Sequence, residues 1–278
     1  MAPKIKMLPV AFLTVLFCFG AVAHGPLAAA ETEIRVGGTG GALAAISQLG
    51  EHYAASRPDV TVTVLPSLGS GGGIRAVRDR IIDIGVSGRP VREDEGAGST
   101  LIQVPFARTA VALITSRPGG AKVTSQVLKA LIADPSPMWP DGAPMHVILR
   151  PPTETDYHVL EAELPSVWQA LVEARDRPEV PVTATDQENL ELAVTLPGSL
   201  TTGTLLQLRA EDQPLYPVMI DGLVPSAETL ASGDYPPIKD FVLVVRSDAS
   251  KAAKAFVSFL QGEDAAVHLR ALGAIPIR

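Results

Sequence analysis

Two stretches decide the fold: E-I-R-V-G-G-T-G-G at residues 33–41 and V-T-V-T-V-L-P-S-L-G-S-G-G-G at residues 60–73. Each sets a short β-prone run before a glycine-rich turn, and each is followed by residues at helical spacing. After the first turn, Leu43, Ile46, Leu49 and Tyr53 recur every three or four positions, which predicts a helix. After the second, residues 74–82 read as another helix, and D-I-G-V at residues 83–86 as a third, buried strand. A strand, glycine turn and helix that repeat in this order predict an α/β domain with a parallel sheet.

Further along, residues 104–115 read as a longer strand, and R-P-G-G at residues 117–120 marks a place where the chain leaves the first lobe. A helix at residues 125–132, a strand at 145–149, a helix at 156–164 continuing through 167–174 and a strand at 180–184 would build a second α/β lobe. A strand at residues 241–245 and helices at 251–260 and 265–272 close the chain.

With 278 residues, 46% hydrophobic and only 19% charged, the chain is rich enough in apolar side chains to bury real cores and is no disordered tail. A formal charge of −7 argues against a nucleic-acid partner, which would ask for a basic footprint. The single cysteine, Cys18, sits in an apolar run at residues 8–23, preceded by Lys4 and Lys6 and followed by Ala28, Ala29 and Ala30. This is the pattern of a secretory signal cleaved after Ala30, with Ala23 a second possible point. The large Phe17 before the cysteine argues against a lipid anchor. Loss of residues 1–30 removes two lysines and no acid, taking the charge to −9, and leaves a chain without thiol chemistry.

The chemistry then lies in the turns. Glycine lets the backbone approach a ligand closely, and the helix that follows offers unpaired N–H groups and a positive dipole end, here at the carboxyl edge of a sheet where α/β proteins bind ligands. Hydroxyls of Thr39, Ser67 and Ser70 are suited to an oxyanion. G-S-G-G-G-I-R lacks the Lys-Ser/Thr end of a P-loop, and neither turn carries the spaced third glycine of a dinucleotide fingerprint. Ser70 and Ser87 do not stand in G-x-S-x-G, and His52, His146, His158 and His268 show no metal-ligand spacing, so no enzyme, cofactor or metal is expected.

V-G-G-T-G-G, S-R-P-D-V-T-V-T-V, G-S-G-G-G-I-R-A-V and D-I-G-V-S-G-R-P, in this order, resemble the first lobe of the PstS-like phosphate-binding proteins, the periplasmic receptors of phosphate ABC importers. The likeness continues in M-W-P-D-G-A-P-M-H-V-I-L-R, in I-D-G-L-V-P-S-A-E-T-L-A-S-G-D-Y-P and in the closing A-K-A-F-V-S-F-L and L-G-A-I-P-I. It implies a type II periplasmic binding fold: two α/β lobes, residues 31–115 with 236–278 and residues 116–235, with the ligand cleft between them. By position, Thr39 and Gly40 match the first anion loop, Ser70 and Gly71 the second, Gly88 and Arg89 the third, and Arg150 the arginine of the second lobe. The implied partners are a small oxyanion and a membrane ABC permease. The same fold could instead report to a membrane sensor. A periplasmic monomer is expected.

One loop departs from the family. Where G-S-G-T typically follows the second-lobe arginine, Thr153 to Asp156 read T-E-T-D, placing two carboxylates beside an anion site. A like charge at ~4 Å opposes an anion by about 4 kcal/mol at intermediate dielectric. Gly88 stands where some members have an acidic residue or a serine. Three readings follow: Asp156 caps a helix and faces solvent, the plainest; Asp156 or Glu154, with Thr153 beside it, accepts a proton from the ligand and so selects a protonated oxyanion or a ligand with hydroxyl or amine groups; or the site has drifted and binds little. The expected ligand is phosphate, a related oxyanion or a phosphorylated small molecule.

Overall fold

Ile34 and Val36 alternate inward along β1 (Thr32–Gly38) and are essentially unexposed, which makes this strand the centre of the first core. The computed structural model describes residues 32–96 and 100–278; the expected secretory signal lies outside the described residues. From β1 the chain runs through α1 (Gly40–Ala54), β2 (Val60–Val64), α2 (Gly69–Arg78) and β3 (Ile84–Ser87), and β1 pairs in parallel with both β2 and β3. The repeated unit read from the two glycine stretches is therefore present. Helix α2, however, starts at Gly69 rather than at residue 74, so the glycines form its first turn. A β-carbon on Gly73 would come within 2.7 Å of the Gly38 α-carbon, so bare glycines let helix and strand touch there.

The long strand β4 (Leu101–Thr115) belongs to both halves of the molecule. Its Phe106 and Ala107 lie in the first hydrophobic core, and its Val111 and Leu113 in the second. Beyond it come β5 (Ala121–Val123), α3 (Ser125–Ala133), β6 (His146–Val147), α4 (Thr155–Glu163), α5 (Pro165–Ala174), α6 (Asp186–Thr195), β7 (Ser199–Thr204), α7 (Leu205–Ala210), β8 (Tyr216–Ile220) and α8 (Ala227–Ser232). The chain then returns as β9 (Ile238–Arg246), α9 (Lys251–Leu260), α10 (Glu263–Ala271) and β10 (Ile275–Pro276). Strand order is β2-β1-β3-β9-β4-β7-β6, and β9 is antiparallel to both β3 and β4. The sheet is thus mixed rather than purely parallel, because the strand that fills its middle is contributed by the far end of the chain.

Three other differences have local causes. The helix expected at residues 156–174 breaks at Leu164, because Pro165 lacks the N–H that would continue it and opens α5 instead. The strand expected at residues 180–184 reduces to a single bridge between Val182 and Leu149. Helix α7, within the stretch assigned to the second lobe, packs Leu206 and Ala210 into the first core. The C-terminal helices add Ala253, Phe256, Leu260, Ala265 and Leu269 to that same core, each large apolar side chain contributing about 1.5–3 kcal/mol.

Candidate functional site

The start of α2, the segment Arg150–Thr155 and the lead-in to α6 face one another across a cleft of about 590 Å³. Ser67 to Gly72, Arg75, Arg89, Arg92, Arg150 to Thr155, His158, Ala184 and Thr185 line it. Of the residues expected to bind ligand, Ser70, Gly71, Arg89, Arg150 and Thr153 border this space, whereas Thr39, Gly40, Gly88 and Asp156 do not.

The first loop is covered from within the protein. Thr39 is buried and donates its backbone N–H to the Val86 carbonyl at 2.9 Å. Above Gly40 lies the beginning of α6: a β-carbon at Gly40 would come within 2.7 Å of the Asp186 carboxylate, and the Gln187 side-chain amide donates to the Gly40 carbonyl at 3.3 Å. Asp186 thus puts its own negative charge at the amino end of α1, where an anion is favoured.

The second and third loops support each other. The Gly88 N–H donates to the Ser70 hydroxyl at 3.0 Å, and the Ser87 hydroxyl bridges to the Arg89 carbonyl at 2.6 Å. Arg89 gives both arms of its guanidinium to Glu95, each at 2.7 Å, a bidentate pair. That pair holds the Glu95 carboxyl down to about 2, and the Arg92 backbone N–H helps against the opposing effect of burial. A β-carbon on Gly71 would stand 3.4 Å from an Arg75 guanidinium nitrogen, 3.5 Å from Arg89 Nη2 and 3.6 Å from Glu95 Oε1, so these groups converge above the start of α2. Arg75 is exposed and forms no salt bridge among the described residues.

Arg150 is where the sequence pattern placed it, at the end of the β6 region, but it is only 3% exposed and its charge is already met. It donates to the Thr183 carbonyl at 3.0 Å, and its Nη2 lies 3.0 Å from Glu154 Oε1 and 3.4 Å from Asp186 Oδ1. Tyr157 fixes the backbone here, its hydroxyl accepting from the Arg150 N–H at 2.7 Å.

Asp156 corrects the plainest expectation. It neither faces solvent nor caps the helix; Glu154 is the capping position, and Asp156 lies in the first turn of α4, buried. Its carboxylate receives the Lys239 ammonium at 2.6 Å. Lys239 is only 4% exposed, and its aliphatic end passes over Gly88 so closely that no β-carbon would fit there. The side-chain space expected at position 88 is thus occupied by a lysine from β9. Burial works against the lysine's charge, but Asp156, Asp186 and Glu154 outweigh it and raise its pKa. Glu154 is pushed upward, chiefly by burial and also by Asp186 and Asp156, although Arg150 pulls the other way.

Arg75, Lys239 and Asp186 are functional-region residues that sequence reading missed, and the last two had a signal. Lys239 is in phase with Phe241, Leu243 and Val245 along β9, so period-two alternation turns it inward. Thr185-Asp186-Gln187-Glu188 is a capping box, with the Thr185 hydroxyl accepting from the Glu188 N–H and Glu188 reaching back to the Thr185 N–H. It announces a helix start, here turned toward the first glycine loop.

Two α/β lobes, a sheet strand shared between them and a cleft at the helix starts define the type II periplasmic binding protein fold. The chain belongs to the PBP superfamily domain family, whose model matches residues 24–264. Among solved structures, it is similar to a substrate-binding protein attributed to a phosphate ABC transporter of Clostridium perfringens, crystallised with phosphate, at 16% identity and a TM-score of 0.72, covering 89% of this chain and 100% of that one. It is also similar to an ABC-type phosphate transport receptor of Vibrio cholerae (18% identity, TM-score 0.59, 87% and 99% covered) and to the periplasmic molybdate-binding protein of Azotobacter vinelandii (13%, 0.62, 88% and 100%). No curated protein matches the sequence. No helix among the described residues is long and apolar enough to cross a membrane.

Proposed function

We propose that this chain is an exported solute-binding protein that captures a small oxyanion-bearing solute in the cleft between its lobes and presents it to a membrane ABC permease. The observation that carries this reading is the wall formed by the start of α2, where the exposed Arg75 guanidinium stands above Gly71 beside Ser67, Ser70 and the Arg89–Glu95 pair. Guanidinium forks, hydroxyls and helix N–H groups together recognise oxyanions. The second wall supports a solute larger than bare phosphate: its cation, Arg150, is held by Glu154 and Asp186, and Lys239, outside the cleft lining, is held by Asp156. A cleft of about 590 Å³ suits a phosphorylated small molecule. For the lobe boundaries, expected at residues 115 and 236, the change of core along β4 favours a first crossing between Ala107 and Val111, and α7 packs with the first core. A secretory signal ending at Ala30 would deliver the protein to the periplasm.

Calorimetry against phosphate, sulfate, arsenate, phosphite and small phosphate esters tests this function. Heat from the esters, weak or absent for bare phosphate, is the expected result; no heat from any of them overturns it.

A further inference from the structure

Opposite that wall, Glu154 lines the same cleft; its Oε1 is ion-paired with Arg150, and its Oε2 has no hydrogen-bond partner among the described residues. One of its oxygens faces Arg150 at 3.0 Å, and the side chain is 22% exposed, enough to meet a solute. With Arg89 already paired to Glu95, the cleft has two chemically opposite ends: the Arg75 guanidinium above Gly71, and an acceptor carboxylate oxygen on the Arg150–Thr155 segment.

We infer that the solute is an ester of phosphate whose organic part carries an ammonium or hydroxyl group, with the phosphate end on Arg75 above the start of α2 and the donor end on Glu154. The inference rests on the anion-capture reading and adds which residue selects among anions. A bare dianion gains Arg75 but meets Glu154 as a like charge, which opposes its binding. An ammonium at the other end of the solute turns that opposition into attraction and supplies a donor to the Glu154 oxygen that Arg150 does not engage. Burial, which raises the Glu154 pKa, makes the carboxylate readier to take such a hydrogen bond or proton.

The test compares phosphoethanolamine with n-propyl phosphate, which has the same heavy-atom shape but ends in a methyl group, by titration calorimetry at pH 7.5. The full mature chain should bind phosphoethanolamine at least about tenfold more tightly, a difference of about 1.4 kcal/mol. In Glu154→Gln the two ligands should come within about threefold of each other, while Arg75→Ala weakens both by about tenfold. Equal or tighter binding of propyl phosphate by the wild-type chain overturns this inference and leaves anion capture standing, as does a preference that survives in Glu154→Gln. No heat from either ester or from inorganic phosphate overturns both.

Discussion

The two walls of the cleft each pair an arginine with carboxylate, and they differ in whether a further cation is left over. On the α2 side, Arg75 is exposed and Arg89, although paired with Glu95, still borders the open space. On the other side, Arg150 borders the space but is buried, and together with Lys239, which lies outside the lining, it is matched by three carboxylates, Glu154, Asp156 and Asp186. The difference teaches that a cation in a binding-protein cleft is a ligand group only if the protein has not already neutralised it. Burying Arg150 and Lys239 costs desolvation, and the nearby carboxylates are what make it tolerable.

The largest effect should come from breaking the buried pair. Asp156→Ala strands the Lys239 ammonium and should lower stability by about 3–5 kcal/mol in urea or guanidinium unfolding. Adding Lys239→Met should restore most of that loss, since an apolar pair of similar volume is often neutral. A single variant costing less than about 1 kcal/mol would mean that the two walls do not differ in the way described. Next, Gly88→Ala forces the Lys239 side chain aside and should destabilise by about 1–3 kcal/mol, read as a lower melting midpoint. If it is neutral, Lys239 does not hold that space.

On the open wall the expected signature reverses. Arg75→Ala should leave stability within about 0.5 kcal/mol of wild type. A melting curve shifted as far as that of Asp156→Ala would erase the contrast. The smallest effect concerns pH. Glu154 has a raised pKa, so the folded state holds its proton more tightly than the unfolded one, and its charge erodes stability as pH rises through the folded value. Glu154→Gln should therefore melt slightly above wild type at pH 7.5, with the gap closing as pH falls below the ordinary carboxylate range. Glu95 has the opposite sign: held down to about 2, it contributes stability above its ordinary pKa that is lost as pH falls toward that value. A Glu154→Gln gap that widens in acid would contradict the assignment.

The repeated strand, glycine turn and helix could be read directly because each element buries its face locally, as Leu43, Ile46 and Leu49 do. The mixed order of the sheet could not, since the pairing of β9 with β3 joins residues such as Ile84 and Val245 that local periodicity never compares. β7 was missed for another reason. S-L-T-T-G-T is wholly buried yet mostly polar, and its hydroxyls are met from elsewhere, Thr201 bonding to Asn189 at 2.6 Å and to the Ile148 carbonyl at 3.0 Å. Arg150 and the T-E-T-D segment were legible as neighbours of a site, but their pairing partners were not. Asp186 is 36 residues from Arg150, and Lys239 is 83 from Asp156.

The position of β9 also governs how the protein comes into being. Because this strand lies between β3 and β4, a chain made from its amino end has a gap in its central sheet until residues 238–246 are available. Non-local closure of this kind slows folding. The first core accordingly cannot be completed until β9, α9 and α10, the last elements made, have supplied Phe241, Leu243, Phe256 and Leu269.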